Sequence, residues 1–162
     1  MFFGLKPDAP ETIIKATRRA VRAGGGRPVK PENLHLTLAF LGALAPAEVA
    51  AAAAVPPVSV GPFELELDRL GFFARSRVLW LAPSVPPAEL LELERGLWAG
   101  LEAVGFTRER GLFRPHVTLA RKGAAVAEPI KPVQWRAHKL CLFESLPIER
   151  GVRYARLDVW PL

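Results

Sequence analysis

The sequence predicts an α+β fold with antiparallel sheets, arranged as two lobes around a central cleft. Segments typical of strands and helices are mixed along the 162 residues, without the strict strand–helix–strand alternation of parallel sheets. The order helix, loop, His-x-Thr strand also occurs twice, and its two histidines, His35 and His116, are 81 residues apart, half the chain. We therefore expect each half of the chain to form one lobe, and the two lobes to face each other across the cleft.

Local signals place the elements of the first half. A strand is predicted over 2–6, and Asp8 stands where it can cap a helix whose first turn holds Pro10 and Glu11. Ile13, Ile14, Ala20 and Val21 recur at helical spacing, and Gly24-Gly25-Gly26 end the helix. The remaining predictions are a strand over 34–41, an Ala-rich helix from Pro46 to about Ala54 closed by Pro56-Pro57, and a strictly alternating strand over 63–68.

The second half begins with an apolar strand over 77–82. Pro86-Pro87 then introduce a long helix that Gly105 ends, with a core stripe made of Leu90, Leu93, Leu97, Leu101 and Val104. A loop rich in arginine leads through Arg114-Pro115 into the second His-x-Thr strand. Strands over 133–143 and 152–160 complete the set.

Composition points to a polyanionic partner and away from a membrane. The net charge is +6 with a sequence pI of about 10.1, and 16 of the 22 basic residues are arginine, which binds phosphate bidentately. The single cysteine, Cys141, excludes an intrachain disulfide and fits a reducing compartment, so we expect a cytoplasmic protein. The stretch 43–63 has little charge, but its four prolines make it a poor transmembrane span.

The most informative motif is a frame of eight residues, His-x-Thr-Leu-Ala-x-x-Gly, that occurs at 35–42 and again at 116–123. In a strand, residues two apart share one face, so His35 and Thr37, like His116 and Thr118, can face outward together while the aliphatic residues face a core. Two facing strands then offer a general acid, a general base and two hydroxyl donors. That set suits the hydrolysis of a phosphodiester.

Other interpretations of the histidines compete with this one. Each His-x-Thr histidine can be an ordinary polar residue on a half-exposed strand, although two matching copies make this interpretation weaker. His138 lacks a threonine two residues later and is predicted to be a surface or strand-packing residue. The three histidines lack the spacing of a zinc site, and the sequence has neither a Gly-x-Ser-x-Gly nucleophile elbow nor a Gly-x-x-x-x-Gly-Lys phosphate loop.

The paired motif resembles the 2H phosphoesterase superfamily. The run from Gly26-Arg27-Pro28-Val29 to Gly42 is similar to bacterial RNA 2′,3′-cyclic phosphodiesterases, first called 2′-5′ RNA ligases. The opening Phe2-Phe3-Gly4-Leu5 and the segments 75–81 and 113–121 are similar as well. The resemblance covers nearly the whole chain, so residues 1–162 are expected to form one bilobal domain with helices on the outer faces of its sheets.

The resemblance also implies an activity and a site. Members of that family open a terminal 2′,3′-cyclic phosphate on RNA to leave a 2′-phosphate, some join 2′-5′ linked ends in reverse, and none uses a metal or a cofactor. Carried over to this chain, His35 and His116 are catalytic, with His116 activating water and His35 protonating O3′; the residues alone leave that order open. Thr37, Thr118 and Arg121 hold the phosphate. Phe3, Phe40 and Phe113 are candidates for stacking on a base.

Two other functions remain open at this stage. The chain can be an RNA-end binding module without turnover, although arginine or lysine would serve binding better than two histidines. It can also be a phosphodiesterase for small cyclic phosphates, such as an ADP-ribose cyclic phosphate; a long basic flank beside the cleft would favour RNA, and a closed small pocket would favour the nucleotide. The expected partner is RNA with cyclic phosphate ends, tRNA halves among them, and we expect a monomer whose histidines titrate near 6.5.

Overall fold

In a computed structural model, ten strands and three helices account for most of the chain, and residues 1–8, 10–55, 58–108, 111–127, 129–149 and 151–162 are described. The strands are β1 (Phe2–Leu5), β2 (Arg27–Pro28), β3 (Leu36–Phe40), β4 (Phe63–Leu67), β5 (Arg69–Phe73), β6 (Val78–Ala82), β7 (Val117–Arg121), β8 (Val133–Ala137), β9 (Lys139–Ile148) and β10 (Gly151–Pro161). The helices are α1 (Glu11–Gly24), α2 (Pro46–Ala53) and α3 (Ala88–Ala103). A short 3₁₀ turn, Pro31–Asn33, precedes β3.

Every strand pairing is antiparallel, as the sequence predicts. The main sheet runs β10-β9-β1-β3-β7-β6-β5, with β2 added beside β7, and β4 and β8 form a separate ribbon. Strands β3 and β7 share a single paired position, Leu36 with Val117, so this narrow junction joins two lobes. Helix α3 packs on β3 in one lobe and α1 packs on β7 in the other. The α+β, two-lobed prediction is confirmed.

The expectation that each half of the chain forms its own lobe is wrong. Strands β9 and β10, from the end of the chain, complete the lobe of β1 and β3 because β1 pairs with β3 along one edge and with β9 along the other. Strands β2 and β5, from the first half, belong to the lobe of β7: β2 pairs with β7, and β5 pairs with β6, which pairs with β7. The lobes therefore exchange strands, and each lobe contains strands from both halves of the chain.

Several local predictions are confirmed and others are corrected. Helix α3 buries four of the five predicted stripe residues completely, whereas Val104 lies at its C-terminal cap and is exposed. Asp8 caps no helix, since Pro10 occupies the N-cap position of α1, and the carboxylate instead contacts His138. The predicted strand over 133–143 divides at His138 into β8 and β9, which belong to different sheets. Pro56-Pro57, predicted to close α2, lie outside the described residues.

Both motif strands carry the same irregularity. Leu38 in β3 has no partner in β1, because Thr37 pairs with Gly4 and Ala39 pairs with Phe3. Leu119 in β7 is likewise skipped in the pairing with β6. These leucines occupy the same position of the two motifs, and a bulge adds twist and changes where side chains point. The predicted alternation holds up to the bulge, after which Ala39 and Ala120 are buried as well.

No helix among the described residues is long and apolar enough to cross a membrane.

Candidate active site

The two His-x-Thr pairs meet at the junction between the lobes, in a crosswise arrangement. Because β3 and β7 are antiparallel and Leu36 is paired with Val117, His35 lies level with Thr118, and Thr37 lies level with His116. The surface agrees with this register. His35 and Thr118 line one cleft together with Arg121, and Thr37 and His116 line a smaller recess. Each histidine thus has the threonine of the other motif as its neighbour across the sheet.

The backbone fixes the orientation and the tautomer of both imidazoles. Nδ1 of His35 lies 2.6 Å from the carbonyl oxygen of Asn33, and Nδ1 of His116 lies 2.7 Å from that of Arg114. Since a carbonyl oxygen can only accept, each Nδ1 carries a proton and donates it. In both histidines Nε2 is then the nitrogen that exchanges a proton, and neither has to rotate to do so. Both bonds span two residues, so the local backbone of each motif produces the same result.

His35 lies in an apolar, electropositive environment. Its ring centroid is 4.6 Å from that of Phe2 and 4.9 Å from that of Tyr154, which meets it edge-on. Burial lowers the pKa of His35 to about 4, against the bond to Asn33, with the charges of His116, Arg121 and Lys6 acting in the same direction as burial. The expected value near 6.5 is therefore wrong for the unliganded protein, and this imidazole is neutral at pH 7.

His116 has the corresponding place in the other lobe. Phe73 in β5 meets its ring edge-on at 5.1 Å, and Trp80 in β6 lies 6.4 Å away. Burial lowers the pKa of His116 below its usual value, the bond to Arg114 opposes the shift, and the charge of Arg121 adds to it. Arg121 thus acts on both histidines, which places its guanidinium within electrostatic reach of both.

Arg121 is exposed at the end of β7, where strands on both sides pair with its backbone. It pairs with Val78 of β6 on one side and with Arg27 of β2 on the other. The next residue, Lys122, has a φ of 60°, and the guanidinium of Arg77 donates to the carbonyl oxygens of Lys122 and Gly123 at 3.4 and 3.2 Å. These bonds hold the turn that follows Arg121.

The three phenylalanines predicted to stack on a base have different environments. Phe3 is 1% exposed and packs on Trp160 in the core, so that prediction is wrong: no face of its ring is open to a ligand. Phe40 is 55% exposed and lines the recess with Thr37, and Phe113 is half-buried beside His116. For these two the prediction stays open.

The structure adds aromatic residues that sequence reasoning missed. Phe73 and Trp80 line a cavity of 450 Å³ next to His116, together with Arg69 and the predicted Phe113. Tyr154 lines the cleft of 720 Å³ that contains His35. Strand β5 was not predicted, so nothing pointed to Phe73, and Tyr154 comes from a hairpin whose position depends on long-range pairing. Trp80 stands in a segment already noted as similar to the family, which was the one available signal.

Asn33 is a further residue that the sequence did not single out. Its side chain is buried and binds the backbone of β10 twice: Nδ2 donates to the Val152 carbonyl at 2.8 Å, and Oδ1 accepts from the Tyr154 N–H at 3.2 Å. Its own carbonyl oxygen accepts the Nδ1 proton of His35. Asn33 therefore connects the orientation of His35 to the β9–β10 hairpin.

Two further titratable groups, His138 and Cys141, do not line the cavities that contain the two motif histidines. Nε2 of His138 lies 2.8 Å from a carboxylate oxygen of Asp8 at the surface, in agreement with the surface or strand-packing role predicted for this histidine. Cys141 is buried, and its pKa is raised by that burial, which makes it a poor nucleophile. Within the described ranges no three His, Cys, Asp or Glu side chains lie close enough together to hold a metal ion.

Comparison with known proteins agrees with this geometry. Residues 6–147 match the model of the 2′-5′ RNA ligase superfamily. This chain belongs to that superfamily. The RNA 2′,3′-cyclic phosphodiesterase of Escherichia coli, a relative of the chain, is 36% identical over 168 residues, covering 100% of this chain and 96% of the relative.

Solved structures extend the superfamily assignment to the whole fold. Escherichia coli LigT, crystallised with 3′-AMP, superposes with a TM-score of 0.85 at 33% identity, over 99% of this chain and 96% of LigT. The protein TT0787 of Thermus thermophilus superposes with a TM-score of 0.75 at 29% identity, over 99% of this chain and 96% of its own. The fold of this chain therefore resembles both solved structures over nearly its full length.

Proposed function

We propose that this protein is an RNA 2′,3′-cyclic phosphodiesterase, which opens the terminal cyclic phosphate of an RNA to leave a 2′-phosphate and a free 3′-hydroxyl. The observation that carries the proposal is the crosswise placement of the two His-x-Thr pairs at one junction, where each histidine is bound to the backbone through Nδ1. The name of the Escherichia coli relative supports the same activity.

The reaction needs one proton taken and one proton given. Water attacks phosphorus opposite O3′, the P–O3′ bond breaks, one Nε2 accepts a proton from the water, and the other Nε2 donates a proton to the departing O3′. Following the resemblance, His116 takes the first role and His35 the second. The histidines end with their protonation states exchanged, and exchange with solvent restores them.

The histidine that acts as the acid must be protonated before the reaction, and the bound substrate favours that protonation. In the unliganded protein, burial and nearby cations lower the pKa of both histidines. A bound phosphodiester brings a negative charge beside them, which raises both pKa values and allows one imidazole to be protonated near neutral pH. Thr37, Thr118 and Arg121 then act on the non-bridging oxygens, where charge develops in the transition state.

Ligation uses the same ring-opening step with a different nucleophile. A 5′-hydroxyl of a second RNA can take the place of water, and its attack on the cyclic phosphate breaks the same P–O3′ bond and forms a 2′-5′ linkage. Aromatic side chains near both histidines supply flat surfaces for bases: Phe40, Phe113, Phe73 and Trp80 near His116, and Tyr154 near His35.

We further propose that the protein acts as a monomer in the cytoplasm, where its single buried thiol stays reduced.

A product analysis tests this function. A short RNA ending in a 2′,3′-cyclic phosphate is incubated with the protein in the presence of a chelator, and the product is then treated with a phosphatase specific for 3′-phosphates. We expect full turnover and a product that resists the phosphatase. His35→Ala and His116→Ala should each lose about 10²–10⁴-fold in kcat, the usual worth of a positioned proton-transfer group. A need for a divalent ion, or a variant that keeps full turnover, contradicts the proposal.

A further inference from the structure

The cleft that contains His35 and Thr118 carries more positive charge than a cyclic phosphate needs. Besides Arg121 it is lined by Arg27, Lys30 and Lys122, all exposed. None of these three makes an ion pair with any residue that the structure describes. Glu149 is the one acidic residue among the described side chains that line the cleft. The cleft therefore has an unbalanced positive charge directed at whatever occupies it.

The backbone brings these cations together at a cost. Strand β2 places Arg27 directly opposite Arg121 of β7, and like charges directly opposite each other in a sheet are destabilising. The close approach of the chain before β2 to the end of β7 also requires glycine at position 26, because a Cβ there would lie 2.7 Å from the carbonyl oxygen of Arg121. The repulsion between these cations is offset if the cleft binds an anion with more than one phosphate.

The charge of the substrate distinguishes the candidates. A cyclic mononucleotide carries one negative charge, which Arg121 can neutralise while the two threonine hydroxyls donate hydrogen bonds to the phosphate. An RNA chain adds one phosphate for every nucleotide that precedes the terminal one, and single-stranded RNA is held in grooves by such contacts. Three cations beside the site, with no ion pair to a described residue, match two or three further phosphates.

We propose that Arg27, Lys30 and Lys122 bind the phosphates of the nucleotides that precede the terminal cyclic phosphate, and that this cleft selects RNA chains over cyclic mononucleotides and other small cyclic phosphates. The inference rests on the proposed function, because it names further contacts of the same substrate. It also gives the cleft a direction, since every remaining phosphate of such an RNA lies on the 5′ side of the reacting end.

The test compares substrates of different length. The value of kcat/KM is measured for adenosine 2′,3′-cyclic phosphate and for oligoadenylates of two to five nucleotides with the same end, each at several salt concentrations. For the wild type, kcat/KM should rise with each of the first two or three added phosphates, and its dependence on salt should become steeper. In the triple variant Arg27→Gln/Lys30→Gln/Lys122→Gln this gain should disappear, with the slope of log(kcat/KM) against log salt reduced by about 2, as expected for three lost phosphate contacts. Its kcat/KM on the cyclic mononucleotide should stay within about twofold of wild type, because one charge is already met by Arg121.

Helix α1 offers a matched control. Lys15, Arg18 and Arg22 surround a recess on the exposed face of the helix, opposite the residues Ile13, Thr17 and Ala20 that pack inward. Lys15→Gln/Arg18→Gln/Arg22→Gln removes the same charge and should leave the length dependence intact. Equal losses in the two triple variants would show attraction by net charge and overturn the inference, as would a wild type that gains nothing from added nucleotides. A wild type that hydrolyses neither substrate would instead refute the proposed function. The single variant Lys30→Gln repeats the test with a smaller expected loss if the triple variant is unstable.

Discussion

Replacing Asn33 by alanine is expected to impair catalysis through the position of His35 and of the β9–β10 hairpin. The amide of Asn33 holds the backbone of β10 at Val152 and Tyr154, and its carbonyl oxygen orients His35. In Asn33→Ala the carbonyl remains, but the hairpin that packs Tyr154 against His35 loses its two side-chain hydrogen bonds to residue 33. Asn33 is thus a positioning residue, acting through His35 and the hairpin.

The magnitude follows from the two lost hydrogen bonds. Each contributes about 1 kcal/mol, and the N–H and C=O groups left without a partner add to the cost, so we expect about 2–3 kcal/mol of destabilisation. For a chain of this size that lowers Tm by roughly 4–12 °C. A shift of the imidazole by a fraction of an ångström should lower kcat by about 10- to 10²-fold. KM should change much less, because the phosphate contacts are made by other residues.

The assay combines kinetics with a local probe. The kcat and KM of wild type and Asn33→Ala are measured well below either Tm, and hydrogen exchange of the Tyr154 amide reports whether the hairpin opens. Asn33→Asp keeps the acceptor for Tyr154 but turns a carboxylate oxygen toward the Val152 carbonyl, so it should be intermediate in exchange. Gln134→Ala is the control: it removes a side-chain amide bond between β8 and β4, from Gln134 to Glu66, and should leave kcat unchanged.

One result would refute this reasoning. If Asn33→Ala exchanges the Tyr154 amide faster and melts earlier, yet keeps the kcat of the wild type, then the hairpin does not orient His35. The loss of stability would then be all that the side chain contributes.

Four further predictions concern the same site. Thr37→Val and Thr118→Val keep the β-branch and remove one donor each, so each should lower kcat by about 10²-fold, the effect of about 3 kcal/mol, in steady-state assays; unaltered kinetics would make both ordinary strand residues. The optimum of kcat/KM should lie at a lower pH than that of kcat, because the bound phosphate raises both histidine pKa values. Arg121→Gln should move the pH profile of kcat/KM to higher pH, because the charge of Arg121 lowers both pKa values. A kcat/KM optimum that stays at pH 6.5 in both the wild type and the variant contradicts this prediction. Between pH 6.5 and about 4 the free energy of unfolding should fall by about 3 kcal/mol, because the unfolded chain protonates His35 and the folded protein does not, and urea titrations of His35→Gln should show a weaker dependence. Phe113→Leu should raise KM for a nucleoside cyclic phosphate and not for ribose cyclic phosphate, which has no base to stack; equal effects on both would place Phe113 outside the base site.

The sequence could predict the site better than the fold that forms it. The motif specifies its own local backbone: alternation turns His and Thr to one side, and the carbonyl two residues before each histidine meets its Nδ1. Such features depend on neighbours in the chain, so they can be read from a short segment. The lobe assignment depends on which strand pairs with β1 over a long sequence distance, and periodicity says nothing about that.

The same distinction explains the aromatic residues. Phe3 and Phe40 belong to neighbouring strands, and both are aromatic residues near a motif. The pairing of β1 between β3 and β9 buries Phe3, whereas Phe40 follows the bulge at Leu38 and is exposed. The exposure of these two side chains therefore depends on the strand register and on the bulge at Leu38, and no residue pattern in the sequence predicts either. His138 was predicted correctly because its context lacks the threonine that the motif requires.

The electrostatics of the unliganded site indicate that substrate binding prepares the chemistry. Burial lowers the pKa of His35 and of His116, and the charge of Arg121 adds to both shifts, so protonation of either imidazole is disfavoured. A phosphodiester beside Arg121 cancels part of that charge and adds its own negative charge, which favours the protonated form of whichever imidazole faces O3′. Binding and protonation are then linked, and the complex takes up a proton from solvent at neutral pH as it forms. The near symmetry of the two motifs does not conflict with their different tasks, because the acid and the base become distinct only when a substrate with two different sides, attacking and leaving, lies between them.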